Sequence, residues 1–335
     1  MSYPTRKIGT DDVSAIGFGS MGISAYYGAV ESDEERFKVL DAAYERGCRF
    51  WDTANIYGDS EELIGKWFKR TGKRNDIFLS TKFGITKETA RGVDGTPESV
   101  QRNFARSLQR LGVDKVELFI LYRSDSEVPI EETVAEMATL VKAGKVKYLG
   151  LSECTANTLR RAHKVHPIAV VEVEYSPFTL DIEGELNLLK TARELGVKII
   201  ANCPLGRGLI TGQYRSPDAF EADDIRRKIS RYSSENFPNI LKLADGLKKV
   251  GDAHNATAAQ VALAWLLAQG DDIIPIPGTK KIKYLNENLD AVNVKLSAES
   301  IKEVRGYAEK TDHQNGLRYP EFLWIQMFVE TPDLK

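Results

Sequence analysis

Asp52, Tyr57 and Lys82 are the residues whose types and spacing most directly suggest chemistry. The first two lie in Trp51-Asp52-Thr53-Ala54-Asn55-Ile56-Tyr57-Gly58, and Lys82 ends the next apolar run in Ser80-Thr81-Lys82-Phe83. A phenol ionises near pH ~10 and a lysine near ~10.4, so neither alone exchanges protons usefully at neutrality. Side by side they should differ: a cation beside the phenol stabilises phenolate and lowers the tyrosine pKa, while a carboxylate keeps a buried lysine charged. The trio reads as a proton donor for a carbonyl oxygen. The bland alternative is an exposed ion pair near a core tyrosine, an arrangement that contributes little.

Positioning such a trio requires adjacent strands. Short apolar, β-rich runs alternate with longer segments of helical period along the whole chain. Strands are expected at Gly17-Phe18-Gly19, Phe50-Trp51-Asp52, Ile77 to Lys82, Val116 to Leu121, Val146 to Leu151, Ala169 to Glu174, Val197 to Ala201 and Ile273 to Ile276. Helices are expected over Asp33 to Arg46, Glu61 to Lys69, Pro97 to Arg110 (capped by Thr96), Glu131 to Lys142, Thr155 to Lys164, Leu186 to Leu195 and Thr257 to Ala268. Eight β/α units with no break in composition predict an α/β fold of the (β/α)8 TIM-barrel type, one domain over 1–335 with a C-terminal tail from about 310. In such a barrel the catalytic groups gather at the C-terminal strand ends, where Asp52 and Lys82 both fall. Gly17-Phe18-Gly19-Ser20-Met21-Gly22 has the glycine spacing of a dinucleotide fingerprint, but the next helix starts only near Asp33, so a Rossmann module is not expected.

Bulk properties narrow the classes. The 335 residues carry 46 basic and 48 acidic side chains, a net charge of −2, without the long basic run that nucleic acid would require; Arg226-Arg227-Lys228 is short. No apolar run approaches the ~20 residues needed to span a bilayer, and the N-terminus lacks an apolar signal core, so a cytoplasmic protein without membrane or nucleic-acid partners is expected. Cys48, Cys154 and Cys203 are far apart and read as reduced thiols, and His163, His166, His254 and His313 have no partners at metal-ligand spacing, so no metal site is expected.

The Asp52-Thr53-Ala54 to Tyr57-Gly58 segment, with Thr81-Lys82, resembles the aldo-keto reductase superfamily. Gly17 to Gly22, Gly150-Leu151-Ser152-Glu153, Glu174-Tyr175-Ser176-Pro177 and Ile276-Pro277-Gly278-Thr279-Lys280 extend the resemblance in the right order over nearly the whole chain. It implies hydride transfer from a nicotinamide to an aldehyde or ketone, with Tyr57 as proton donor, Lys82 lowering its pKa and Asp52 holding Lys82 charged. Members usually carry a histidine after the fourth strand; the matching segment Leu121-Tyr122-Arg123-Ser124-Asp125 places Tyr122 there, as a fourth catalytic position. A phenol donates a single hydrogen bond, with less positive character than imidazole.

The same resemblance implies NADP(H) as cofactor. Gly19, Ser20 and Met21 would lie in a loop over it, with Asp52 at its reactive end. Ser152, Glu153 and Glu172 would meet the nicotinamide carboxamide, although asparagine and glutamine are more usual at the last two positions. Asn202 falls where an aromatic commonly stacks on the ring, and the segment Cys203, Pro204, Leu205, Gly206, Arg207, Gly208 would follow the pyrophosphate. At the adenosine end, Gly278, Thr279 and Lys280 would hold the phosphate, and Tyr284, Glu287 and Asn288 the adenine. Glu172 to Phe178, Asp181-Ile182-Glu183 and Gly316-Leu317-Arg318-Tyr319 resemble the pyridoxal-reductase branch, which suggests pyridoxal as one substrate. The tail around Gly316 to Phe322 would either line the substrate mouth or pack on the barrel bottom. The expected protein is an aldehyde reductase, monomeric or a weak homo-oligomer. The alternative is an NADP(H)-binding regulatory subunit of the potassium-channel β type, with little turnover.

Overall fold

A computed structural model describes residues 3–90, 92–221, 224–312 and 316–335, with the side chains of all of these except 312, 322 and 323. Residues 313–315, including His313 and part of the expected tail, lie outside the described residues, as does the side chain of Phe322. Ten strands are described: β1 (Thr5–Ile8), β2 (Asp11–Ser14), β3 (Phe18–Gly19), β4 (Phe50–Asp52), β5 (Phe78–Phe83), β6 (Val116–Leu121), β7 (Val146–Ser152), β8 (Ile168–Glu174), β9 (Lys198–Asn202) and β10 (Ile273–Pro275). β3 to β10 form one parallel sheet in sequence order, each strand paired with the next. Helices fill the connections, and the expected (β/α)8 barrel is the architecture found.

The sheet closes through Gly17 N to Pro275 O at 2.9 Å and Gly19 N to Pro277 O at 3.3 Å. Glycine is what permits this seam. A Cβ on Gly19 would stand 2.7 Å from Ile276 O, and one on Gly278 would stand 2.5 Å from Gly19 O, both inside contact distance with backbone.

Strand alternation sorts residues into two layers. Phe50, Phe78, Leu118, Ile120, Val170, Ile200 and Ile274 fill the barrel interior, whereas Trp51, Leu79, Phe119, Val171 and Ile199 face outward into the helix layer. Following the inward set toward the C-terminal ends, Phe50 gives way to Asp52, Phe78 to Lys82 and Val170 to Glu172 and Glu174. The interior is thus apolar below and charged above. The unanticipated antiparallel hairpin of β1 and β2 covers the lower end, inserting Ile8 and Val13 against the interior cluster.

Helix boundaries follow local chemistry. The helix Pro97–Leu111 starts with Thr96 accepting from Ser99 N and Pro97 in its first turn, and stops at Gly112 with φ 62°. Thr257 forms a capping box with Gln260 at the start of Ala258–Ala268. Two long helices, Phe237–His254 and Ala298–Asp312, pack side by side late in the chain and were not expected from periodicity.

Candidate active site

Asp52 ends β4, Lys82 lies one residue from the end of β5, and Glu172 points inward from β8; all three are buried. Lys82 Nζ donates to Asp52 Oδ2, to Thr53 O at 2.9 Å, and meets Glu172 Oε2 at 3.2 Å. Burial opposes the ammonium charge, but Asp52 and Glu172 together raise the Lys82 pKa above its ordinary value. Tyr57 rises from the loop after β4, is 4% exposed, and its hydroxyl donates to the Tyr122 hydroxyl at 3.2 Å. The two rings meet edge to face, with centroids 6.1 Å apart. Lys82 Nζ lies 5.2 Å from the centre of the Tyr57 ring.

One expectation is reversed. The Tyr57 pKa does not come down beside Lys82: burial pushes the phenol well above its ordinary value, and Tyr122, Glu172 and Asp52 add to that. The physical reason is desolvation first, because a phenolate at the buried cleft floor would lose its water, so Tyr57 stays a protonated donor in this state.

Above this cluster opens a cavity of about 980 Å³, running from Asp52, Tyr57 and Tyr122 to Tyr284, Glu287 and Asn288. Its wall brings together Gly19, Met21, Glu172, Asn202, Cys203, Pro204, Leu205, Arg207 and Gly208 with Gly278, Thr279 and Lys280. Tyr284, Glu287 and Asn288 share one face of the helix Ile282–Asp290 through their three- and four-residue spacing. Arg207 and Gly208 have φ of 55° and 87°, a left-handed turn that folds their loop along the cavity. Two thiols, Cys48 and Cys154, are buried in the packing, while Cys203 is only partly covered.

Four expected residues stand behind the wall instead. Ser20 is fully buried and donates to Asp52 O at 2.7 Å, bracing the loop rather than facing the cavity. Ser152 accepts from Arg123 at 3.4 Å. Gly206 packs under Phe178. Glu153 turns away with φ 47°: one oxygen accepts from Glu174 N at 3.0 Å and the other pairs with Arg318 at 3.4 Å. Lys280 lines the cavity, but its ammonium donates to the carbonyls of Tyr27 and Ala29, pinning that loop beside it.

The C-terminal tail crosses the catalytic end, not the bottom. Arg318 is fully buried and meets Asp181 at 2.8 Å, Glu174 at 3.3 Å and Glu153 at 3.4 Å, with Trp324 and Phe328 around its guanidinium. Burial raises the Glu174 pKa, yet Arg318, Arg207 and Arg231 outweigh it and hold the carboxyl below its usual range. Tyr319 thereby reaches the cavity and lies against Arg207, 4.6 Å from guanidinium to ring centre.

Several cavity residues escaped the sequence reading as site residues. Arg123 stacks under Tyr122 at 4.5 Å. Tyr214, Phe220 and Arg226 form a stacked cover, with Arg226 4.4 Å from each ring and its charge met by Asp224 at 2.7 Å. Arg226 lies in the short 3-10 turn Ile225–Lys228, and Tyr214 and Phe220 in irregular chain outside such turns, so the cover carries no periodic signal.

A long cleft with a proton donor at one end suits an extended polar ligand. Asn202 Oδ1 and Arg207 Nε are buried on its wall without hydrogen-bond partners, as a site awaiting polar groups would have them. The glycine seam admits only backbone beside it. These residues fit a dinucleotide lying across the barrel mouth.

A parallel barrel whose C-terminal strand ends present a Tyr–Lys–Asp cluster under an elongated cleft defines a class of carbonyl-handling barrel proteins. The Aldo/keto reductase family model matches residues 15–309, and the chain belongs to that family. Aldo-keto reductase str7 of Strobilurus tenacellus is 63% identical over 318 residues, spanning 93% of this chain and 94% of that protein. The Schizosaccharomyces pombe protein named aldo-keto reductase yakc [NADP(+)] is 48% identical over 340 residues, covering 100% and 99%. Among solved structures, a glycerol dehydrogenase from Gluconobacter oxydans superposes with a TM-score of 0.83 at 25% identity, covering 95% of this chain and 98% of that one.

Proposed function

We propose that the protein reduces an aldehyde to the alcohol with NADPH as hydride donor. Bound in the cleft, the dinucleotide would supply the hydride; the chain's own residues bind it, place the carbonyl and deliver the proton. Tyr57 carries the proton, and the observation that supports it most is its hydroxyl, buried at the cleft floor and held at 3.2 Å by Tyr122. A carbonyl oxygen entering between the two phenols would accept from both. Lys82, held charged by Asp52, would stabilise the phenolate left after transfer. Lys280 and Thr279 favour NADPH over NADH by offering charge and a hydroxyl at the far end of the cleft.

For the substrate class, the support is at the Tyr57 end of the cleft, where Tyr26, whose hydroxyl reaches Ile56 O, and Tyr122 give an aromatic lining that would suit a planar aldehyde. Pyridoxal is one such aldehyde. Glu174, Asp181 and Arg318, which carry the resemblance to the pyridoxal-reductase branch, meet one another rather than the cleft, so they speak for tail anchoring more than for that substrate. The test is steady-state oxidation of NADPH, and of NADH in parallel, with aromatic aldehydes including pyridoxal. Turnover with NADPH preferred is expected. Tight NADPH binding with no aldehyde turned over would favour a regulatory cofactor-binding role instead.

A further inference from the structure

Glu61 is a carboxylate only 1% exposed, buried in the helix layer outside the cluster that handles the proton. It follows Tyr57 closely in the chain and sits in the first turn of the helix Ser60–Thr71. Burying a charge there is costly unless its bonds are satisfied. Side chains alternate along β5, so Lys82 points inward while Thr81 faces the helices. The Thr81 hydroxyl donates to Glu61 Oε1 at 2.7 Å, and Arg110 from the helix Pro97–Leu111 reaches Glu61 Oε2 at 3.4 Å. The same Arg110 nitrogen donates at 3.0 Å to Asn55 O, in the loop that leads to Tyr57. Asn55 N in turn donates to Lys82 O at 3.1 Å, and Asn103 accepts from the Asn55 side chain at 3.2 Å. Thr81, Glu61, Arg110, Asn55 and the Lys82 backbone thus close into one ring of bonds.

We propose that Glu61 is a positioning residue for the reaction, the node that fixes the Lys82 ammonium relative to the Tyr57 hydroxyl. This rests on the reductase reading above. Glu61 acts on the chain that carries each catalytic side chain. Through Thr81 it holds β5 next to Lys82, and through Arg110 it holds the loop that ends in Tyr57. Backbone bonds fix the two ends of that loop, with Thr53 N to Ser80 O at 2.9 Å at its start and Ser60 N to Tyr57 O at 3.0 Å where the helix begins. Arg110 adds a hold on the Asn55 carbonyl between them. A plain helix-terminal role for Glu61 would need neither Thr81 nor Asn55, since its charge already suits the first turn. Proton delivery falls steeply with misplacement, and Glu61, Thr81 and Arg110 lie outside the cleft wall. A loosened ring should therefore slow the chemical step while leaving the dinucleotide's binding surface as it is.

The test is single-turnover oxidation of bound NADPH by an aromatic aldehyde in Glu61→Gln, Thr81→Val and Arg110→Met, with NADPH dissociation constants and aldehyde KM measured alongside. Each variant should slow hydride transfer about tenfold, with NADPH affinity and KM within about threefold of wild type. Thr81→Ser keeps the hydroxyl and should recover most of what Thr81→Val loses. The double variant Thr81→Val/Arg110→Met should be no more than about threefold slower than the worse single, because both open the same ring; independent effects would multiply to about a hundredfold. Thr81→Val keeps the side chain's shape and Arg110 is partly exposed, so these two decide the matter even where Glu61→Gln does not fold. Arg74→Met breaks a comparable ion pair, with Glu117 at 2.9 Å, at the opposite end of β5; it controls for lost stability and should leave the rate unchanged. Wild-type rates in Thr81→Val and Arg110→Met, losses that multiply in the double variant, or an equal slowing by Arg74→Met would each overturn the proposal while leaving the reductase reading intact. Wild-type protein that binds NADPH yet transfers no hydride would remove both.

Discussion

Tyr122 meets Tyr57 hydroxyl to hydroxyl, packs edge-on against its ring and lies over Arg123, so this phenol is built into the cluster rather than merely filling a space. Its longer side chain brings an O–H donor beside the proposed acid, where a carbonyl oxygen would find two donors at once. Tyr122→Phe should then lower kcat about 10²-fold with NADPH affinity at pH 7 unchanged, as checked by steady-state kinetics and cofactor titration. An unchanged kcat would take Tyr122 out of the reaction. Identity and spacing made Asp52, Tyr57, Lys82 and Tyr122 legible in the sequence. The direction of the Tyr57 shift was not, because it depends first on how deeply the fold buries the phenol and then on Tyr122 and Glu172, which come from other strands.

At the scale of elements, the tail is anchored by charge. Arg318 joins residues from the ends of β7 and β8 and the turn after β8 to a strand-free segment, and its removal would leave Glu153 and Glu174 buried with less compensation. Arg318→Met should cost about 3–5 kcal/mol in denaturant unfolding and expose the tail to protease. A loss below about 1 kcal/mol would mean the tail is held by its apolar contacts alone. Elements with strong local signals were readable, such as Pro97–Leu111 with Thr96, Pro97 and Gly112. Phe237–His254 was not, since Pro238 and two internal glycines break its pattern. A Cβ on Gly246 would enter the Tyr307 ring of the neighbouring helix at 2.7 Å, and one on Gly251 would reach Ala256 O, where the helix's own end folds back, at 2.3 Å. The first reason exists only between elements and leaves no periodic trace.

For the molecule as a whole, eight repeated β/α units were enough to foretell the barrel, because strand period and unit length are local properties. Of what covers the cleft, only the tail was foretold, as one of two alternatives. Arg226 arrives on the 3-10 turn Ile225–Lys228, Tyr214 and Phe220 on irregular chain beside such turns, and Tyr319 on a tail, placed by contacts such as Arg231 with Gly316 O at 3.1 Å rather than by their own sequence. Barrel, cleft and cover together make Tyr57 the only buried phenol at the described floor that touches both Tyr122 and the Lys82 field. Single-turnover oxidation of bound NADPH by an aromatic aldehyde, followed by stopped flow in wild type and Tyr57→Phe, tests this account most directly. It predicts a loss of hydride transfer of at least about 10²-fold in Tyr57→Phe with NADPH affinity within about threefold of wild type. Hydride transfer at the wild-type rate in Tyr57→Phe would contradict it.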